Sequence, residues 1–156
     1  MIIKEIEISN YRNLSHVILK PIPQINVIYG QNAQGKTNLL ESMWIFTGGH
    51  SFRGAKDSEL IAFGKTTFEM NMKFFSEERE QYAKINMTNG RRSVTINDIP
   101  KKSASSLVGK FCAVVFSPQH LSLVKEGPSN RRNFIDGSLC QSKPAYAKLL
   151  MHYNRT

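Results

Sequence analysis

The sequence is poor in cysteine and in acid, and it has no long apolar run. Its two cysteines, Cys112 and Cys140, offer neither a CxxC metal spacing nor a disulfide framework. The four histidines, His16, His50, His120 and His152, share no ligand spacing, so no metal site is expected. The longest apolar run, Phe111 to Phe116, is six residues, against the roughly 20 that a bilayer-spanning helix needs. Lys4, Glu5 and Glu7 stand where a secretory leader would need an unbroken apolar core. These absences point to a cytoplasmic protein without membrane or metal staples.

What is present is enough for one domain: 156 residues, 40% of them hydrophobic and 10% aromatic, which excludes wholesale disorder. The net charge is +9, and it is concentrated. Residues 101–156 carry nine Lys and Arg against two Asp and Glu, whereas residues 1–50 carry four against three and residues 51–100 eight against seven. A concentrated basic excess suits a polyanion, because Lys and Arg at phosphates release condensed counterions. The alternative is that an acidic segment elsewhere balances it.

Periodicity divides the chain. Ile2, Ile3, Ile6 and Ile8 alternate with polar residues, as a half-buried strand does. Two further strands are expected at 17–19 and 25–29, separated by the Pro21–Pro23 turn. The apolar spacing of residues 38–46 is helical, ended by Gly48-Gly49; it puts Met43, Trp44 and Phe46 at core positions rather than on a base-stacking platform. The period returns to two between 66 and 96, with Asn89-Gly90 as a hairpin signal. Phe111 to Phe116 reads as a buried strand with Cys112 an inert buried thiol, and helices are expected at about 129–141 and 144–154.

One motif carries chemistry. Gly30-Gln31-Asn32-Ala33-Gln34-Gly35-Lys36-Thr37 fits the phosphate-loop pattern G-x-x-x-x-G-K-[ST], with an expected strand before it and a helix after. The glycines let backbone N–H groups converge into a nest for phosphate oxygens. Lys36 supplies a point charge for β/γ-phosphates, and Thr37 a hydroxyl for Mg²⁺. The competing reading is a glycine-rich strand–helix turn that merely contains Lys-Thr. No apolar strand ending in the usual second carboxylate follows: Ser117 comes after Phe116, while Asp98 and Asp136 lack the preceding apolar run. Nor is there an LSGG-like stretch, so hydrolysis by this chain alone is not expected and no catalytic residue is assigned within it.

The order of strand, Asn10-Tyr11-Arg12-Asn13 turn, and phosphate loop with Asn32 resembles the ATP-binding-cassette heads of SMC-type and DNA-repair ATPases. Two later segments narrow the resemblance to the RecF family of bacterial DNA replication and repair proteins. They are Ser51-Phe52-Arg53 with Asp57 to Gly64, and the run from Phe116 to Asp136 that contains Gly127-Pro128 and Arg131-Arg132. Gln119 and Glu126 depart from the family's usual Asp or Glu and Gly. The resemblance implies an α/β fold: the N-terminal half of an ABC-type head, with a mixed β-sheet around the phosphate-loop helix, an antiparallel meander, and C-terminal helices that begin a helical lobe. The expected division is 1–128 for the head and 129–156 for the start of the lobe, whose last helix looks unfinished.

The same resemblance implies ATP and Mg²⁺ at Gly30 to Thr37, with Arg12 and Asn13 approaching the nucleotide. Gln119 is a candidate for an ABC-type glutamine that senses Mg²⁺. Arg53, Lys101, Lys102, Lys110, Lys125, Arg131 and Arg132 are DNA-contact candidates; Arg131 and Arg132 would open a helix whose interior face holds Phe134, Ile135 and Leu139. The whole family member would dimerise on ATP, hold DNA at single-strand/duplex junctions and gaps, and act with RecO and RecR to help load RecA. Two readings of other classes compete: a small P-loop kinase, against which the meander at 66–96 stands, and a DNA-binding module whose phosphate loop is vestigial.

Overall fold

The structure, a computed structural model, describes residues 1–88, 90–118 and 127–153. Its centre is an antiparallel sheet of six strands: β1 (Ile2–Tyr11), β2 (Leu14–Leu19), β3 (Thr67–Ser76), β4 (Arg79–Thr88), β5 (Arg91–Ile96) and β6 (Ile99–Lys101). They lie in the order β2-β1-β3-β4-β5-β6. The helices are α1 (Lys36–Ile45), α2 (Pro128–Ser142) and α3 (Pro144–Tyr153), with single 3₁₀ turns at Asp57–Leu60 and Ala104–Leu107.

Period-two patterning sets which face is inside. Ile6, Ile8, Phe68, Met70, Met72, Phe74, Ala83, Ile85, Met87, Val94 and Ile96 all point to one side and are buried. Ile45 and Phe46 at the end of α1, Leu60, Leu107 and Phe111 close over them. Edge-on aromatic contacts, Tyr11 with Phe68 at 5.4 Å and Phe74 with Phe111 at 5.5 Å, tie the layers together. The other face is a lattice of paired charges: Glu5 bonds Lys73 at 2.9 Å and Lys20 at 3.1 Å, and Glu69 bonds Lys84 at 2.8 Å. That face is mixed in sign rather than basic.

Tight turns fix the register. Tyr11 pairs with Leu14, Ser76 with Arg79, Thr88 with Arg91 and Ile96 with Ile99, so each connection has two residues. Gly90 has φ of +72°, as the expected hairpin requires; Asn89 lies outside the described residues.

Two expected strands differ. Residues 25–29 and 111–116 pair with no strand among the described residues, and apart from the core residue Phe111 several of their apolar side chains are open: Val27 is 76% and Val114 98% exposed. Both runs are nearly continuous in apolar residues, the pattern of a strand covered on both faces. No described strand lies beside either run, so the pattern is not realised as pairing. Cys112 is accordingly exposed rather than buried. The same holds for α2: it starts at Pro128, within a residue of the expected 129, but Phe134 and Ile135 are exposed rather than interior, since among the described residues the helix packs chiefly against α3 and bonds the 112–113 segment through Gln141. An apolar cleft of about 420 Å³ between Trp44, Phe52, Val114 and Phe134 is the result.

Candidate nucleotide-binding site

The phosphate loop spans Gly30 to Gly35 and runs directly into α1. Gly30 has φ of +144°, Ala33 +64° and Gly35 +98°, conformations that turn successive N–H groups to one side. Gly35 is a glycine for a second reason. A Cβ there would lie 2.7 Å from Asn13 Oδ1 and 2.7 Å from Leu14 Cδ2, so the loop packs against the β1–β2 turn with no room to spare. Lys36 Nζ curls back over the loop and donates to the carbonyls of Gly30 at 2.8 Å and Gln31 at 2.6 Å. Its ammonium thereby sits over the nest. Thr37 is exposed in the first turn of α1, where the unpaired N–H groups and the helix dipole favour an anion.

Arg12 and Asn13 come to this loop from β1. Arg12 has φ of +50° in the two-residue turn. Asn13 Nδ2 donates to the Ala33 carbonyl at 3.0 Å, holding the loop's strained residue directly. Arg12 faces α1 instead: Nε and Nη2 donate to the two oxygens of Glu41 at 2.5 and 3.0 Å. Ser51 Oγ donates to the same carboxylate at 2.5 Å. Arg53, in the loop after α1, donates to Asn38 Oδ1 at 2.7 Å and lies 3.9 Å from Glu41.

The electrostatics follow from the burial. Burial alone would raise the Glu41 carboxyl, but the bonds from Arg12 and Ser51 hold it below its usual 4.5. Burial, then the Glu41 charge, pushes the neighbouring Tyr11 hydroxyl well above its usual value. That hydroxyl is buried without a hydrogen-bond partner of good geometry among the described residues.

The remaining candidates lie on other elements. Lys101 ends β6 and Lys102 follows it; Lys110 is 3.4 Å from Glu77 at the β3–β4 turn; Arg131 and Arg132 are exposed in the first turns of α2. Lys125 and Gln119 lie outside the described residues. Among the described residues no His, Cys, Asp and Glu cluster suited to a metal occurs.

Three participants were not legible as site residues: Asn38, Glu41 and Ser51. One signal pointed to Glu41. It lies four residues before the core residue Ile45, hence on the buried face of the helix, where a charge needs a partner. Arg92 was missed as well; it pairs with Asp57 and donates to the Gly49 carbonyl at 2.9 Å, pinning the far end of the 47–57 loop.

Comparison with known proteins places the chain in a family and matches its fold. The family model described as "AAA ATPase domain" matches residues 1–127. The DNA replication and repair protein RecF of Acetivibrio thermocellus is 42% identical over 156 residues, covering 99% of this chain and 42% of that protein. That of Agathobacter rectalis is 42% identical over 159 residues, covering 100% and 43%. The chain therefore spans about two fifths of the length of the curated relatives it matches. A solved structure of the recombination mediator protein RecF with ATP, of the RecFOR pathway, superposes with a TM-score of 0.94 at 36% identity, over 99% of this chain and 42% of that one. An SMC ATPase structure at 20% identity and TM-score 0.67 shares the fold, over 88% of this chain and 99% of that one.

Proposed function

We infer that this chain, which belongs to the AAA ATPase domain family, is the ATP-binding part of a RecF-type DNA replication and repair protein. The observation that carries the reading is the phosphate loop itself: a nest of positive-φ residues, Lys36 folded over it, and Asn13 bracing Ala33 from behind. A triphosphate would take the place of the Gly30 and Gln31 carbonyls as partner of Lys36. The N–H groups of residues 31–37 and the start of α1 would hold its oxygens. The residues also fit Mg²⁺, with Thr37 as the protein ligand; the ion would neutralise charge between the β- and γ-phosphates.

The wider role is part of the same reading and rests on the RecF relatives. ATP acts as a switch: two heads close on nucleotide, which stabilises the dimer by linkage. The dimer holds DNA at single-strand/duplex junctions and acts with RecO and RecR in loading RecA. Co-sedimentation of the protein with RecR and RecO, with and without ATP, checks the association; no nucleotide-dependent complex would remove it. The basic excess of residues 101–156 supports the DNA contact. No helix among the described residues is long and apolar enough to cross a membrane.

Titration of the chain with labelled ATP and Mg²⁺ beside Lys36→Ala tests the nucleotide reading. Saturable binding that the substitution weakens by about 10- to 100-fold is expected, since a charge-assisted phosphate contact is worth about 1.5–3 kcal/mol and the nest is left without its cation. Equal binding by both chains would contradict it.

A further inference from the structure

Glu41 is a fully buried carboxylate whose partners come from both sides of the site. Arg12 reaches it from the β1–β2 turn, at 2.5 and 3.0 Å, and Ser51 from the loop after α1, at 2.5 Å. A second tie runs between the same segments through Asn38, one turn earlier on α1. Asn38 Nδ2 donates to Asn13 Oδ1 at 2.7 Å, and Asn38 Oδ1 accepts from Arg53 Nη1 at 2.7 Å. Because Arg12 and Asn13 are adjacent, and Arg53 also lies 3.9 Å from Glu41, these contacts close into a ring. Among the described residues, its side-chain bond to the phosphate loop is that of Asn13 to the Ala33 carbonyl, 3.0 Å.

That bond meets the phosphate loop where it is strained. Ala33 holds φ of +64° with a Cβ, a conformation that persists only where the surroundings over-determine it. We propose that Glu41 is a positioning residue for the phosphate loop: its buried carboxylate fixes the β1–β2 turn and the 51–53 loop against α1, and through Asn13 it keeps Ala33 in the conformation that turns the loop's N–H groups inward. The inference rests on the reading of residues 30–37 as a phosphate site. The two arginines differ in what they can do. Arg12 is bidentate on a fully buried carboxylate, and removing it would leave that charge uncompensated. Arg53 stands off Glu41 and is held by a neutral acceptor, so it can leave without stranding a charge. The 51–53 loop is thereby coupled to the phosphate loop through the shared anion, with Asn38 as a second tie.

The test compares amide exchange of the whole chain with that of Glu41→Gln, which keeps the shape and removes the charge. Exchange at residues 32–37 and 51–54 is expected to rise about tenfold or more, while the β3–β4 ladder changes by less than about threefold, the signature of local rather than global opening. Asn13→Ala cuts the bond to Ala33 without touching the buried charge, and serves if Glu41→Gln does not fold. It should loosen 32–37, while 51–54, still tied to Glu41 through Ser51, open by less than they do in Glu41→Gln. Inorganic tripolyphosphate and Mg-ATP should both bind about tenfold more weakly to either variant, because the loss is at the phosphates. A uniform rise in exchange across the sheet, or an unchanged phosphate loop in either variant, would overturn the positioning role. Failure of the unsubstituted chain to bind Mg-ATP or tripolyphosphate would overturn the phosphate-site reading instead, and the exchange comparison would still decide whether Glu41 holds the loop.

Discussion

At the scale of single residues, Arg12 and Glu41 are worth more to folding than any surface pair. Glu41 is fully buried and Arg12 is 18% exposed, so removing Arg12 leaves an uncompensated buried charge. Arg12→Ala should cost about 3–5 kcal/mol at neutral pH, read from urea unfolding. The pH dependence has a definite sign. The Glu41 carboxyl is held below its unfolded value of 4.5, so its contribution is complete above that pH and is lost as pH falls through the lower folded value. Without Arg12, burial raises the stranded carboxyl instead. The penalty of Arg12→Ala should therefore shrink on acidification beginning above pH 4.5, as protonation relieves the charge, and go on shrinking until the wild-type carboxyl also protonates below 4.5; a pH-independent penalty would contradict the assignment. The exposed charge pairs of the sheet's outer face, such as Glu69 with Lys84, contribute far less. The phosphate loop was legible residue by residue because its spacing is rigid and its chemistry needs fixed types. Glu41 was not, because helical spacing alone does not say which residues of a distant turn will face it.

At the scale of elements, the hairpins carry the most information. Asn97 and Asp98 in the β5–β6 turn have φ of +50° and +63°, the left-handed pair that a two-residue hairpin wants and that Asn and Asp tolerate. The β3–β4 turn asks the same of Glu77 and Glu78, at +53° and +61°, and glutamate does not tolerate it well. Glu77 gains a partial return from Lys110 and Gln81 at 3.4 Å each. Glu78→Gly should then stabilise the chain by about 1 kcal/mol, read as a higher urea midpoint at unchanged m-value; a loss of stability would mean the turn's contacts outweigh its strain. The alternating strands were legible because one buried face forces period two. The runs at 25–29 and 111–116 were legible as apolar but not as ladders, since a strand needs a neighbour that its own residues do not specify. The α2 face of Phe134 and Ile135 fails in the same way: periodicity says which side is apolar, not what lies against it.

At the scale of the whole molecule, charge and shape divide the labour. The sheet's open face is neutralised pair by pair, and the basic excess lies beyond β6 and on the helices. DNA binding, if it uses that excess, should weaken as salt rises. Arg131→Ala with Arg132→Ala should reduce the slope of log affinity against log salt by up to about two, measured on a gapped duplex; an unchanged slope would take these two residues out of the contact. The family resemblance was legible over nearly the whole chain, because a long run of particular residues at fixed spacing reports ancestry whatever local structure it adopts. The nucleotide reading remains the centre of the account, and its location is as important as its affinity. The most direct test is to follow backbone amide resonances of the chain while Mg-ATP is added. The account predicts saturable shifts concentrated at residues 30–37 and at Asn13, with the β3–β5 ladder undisturbed. Shifts centred on the basic C-terminal third, or none at all, would contradict it.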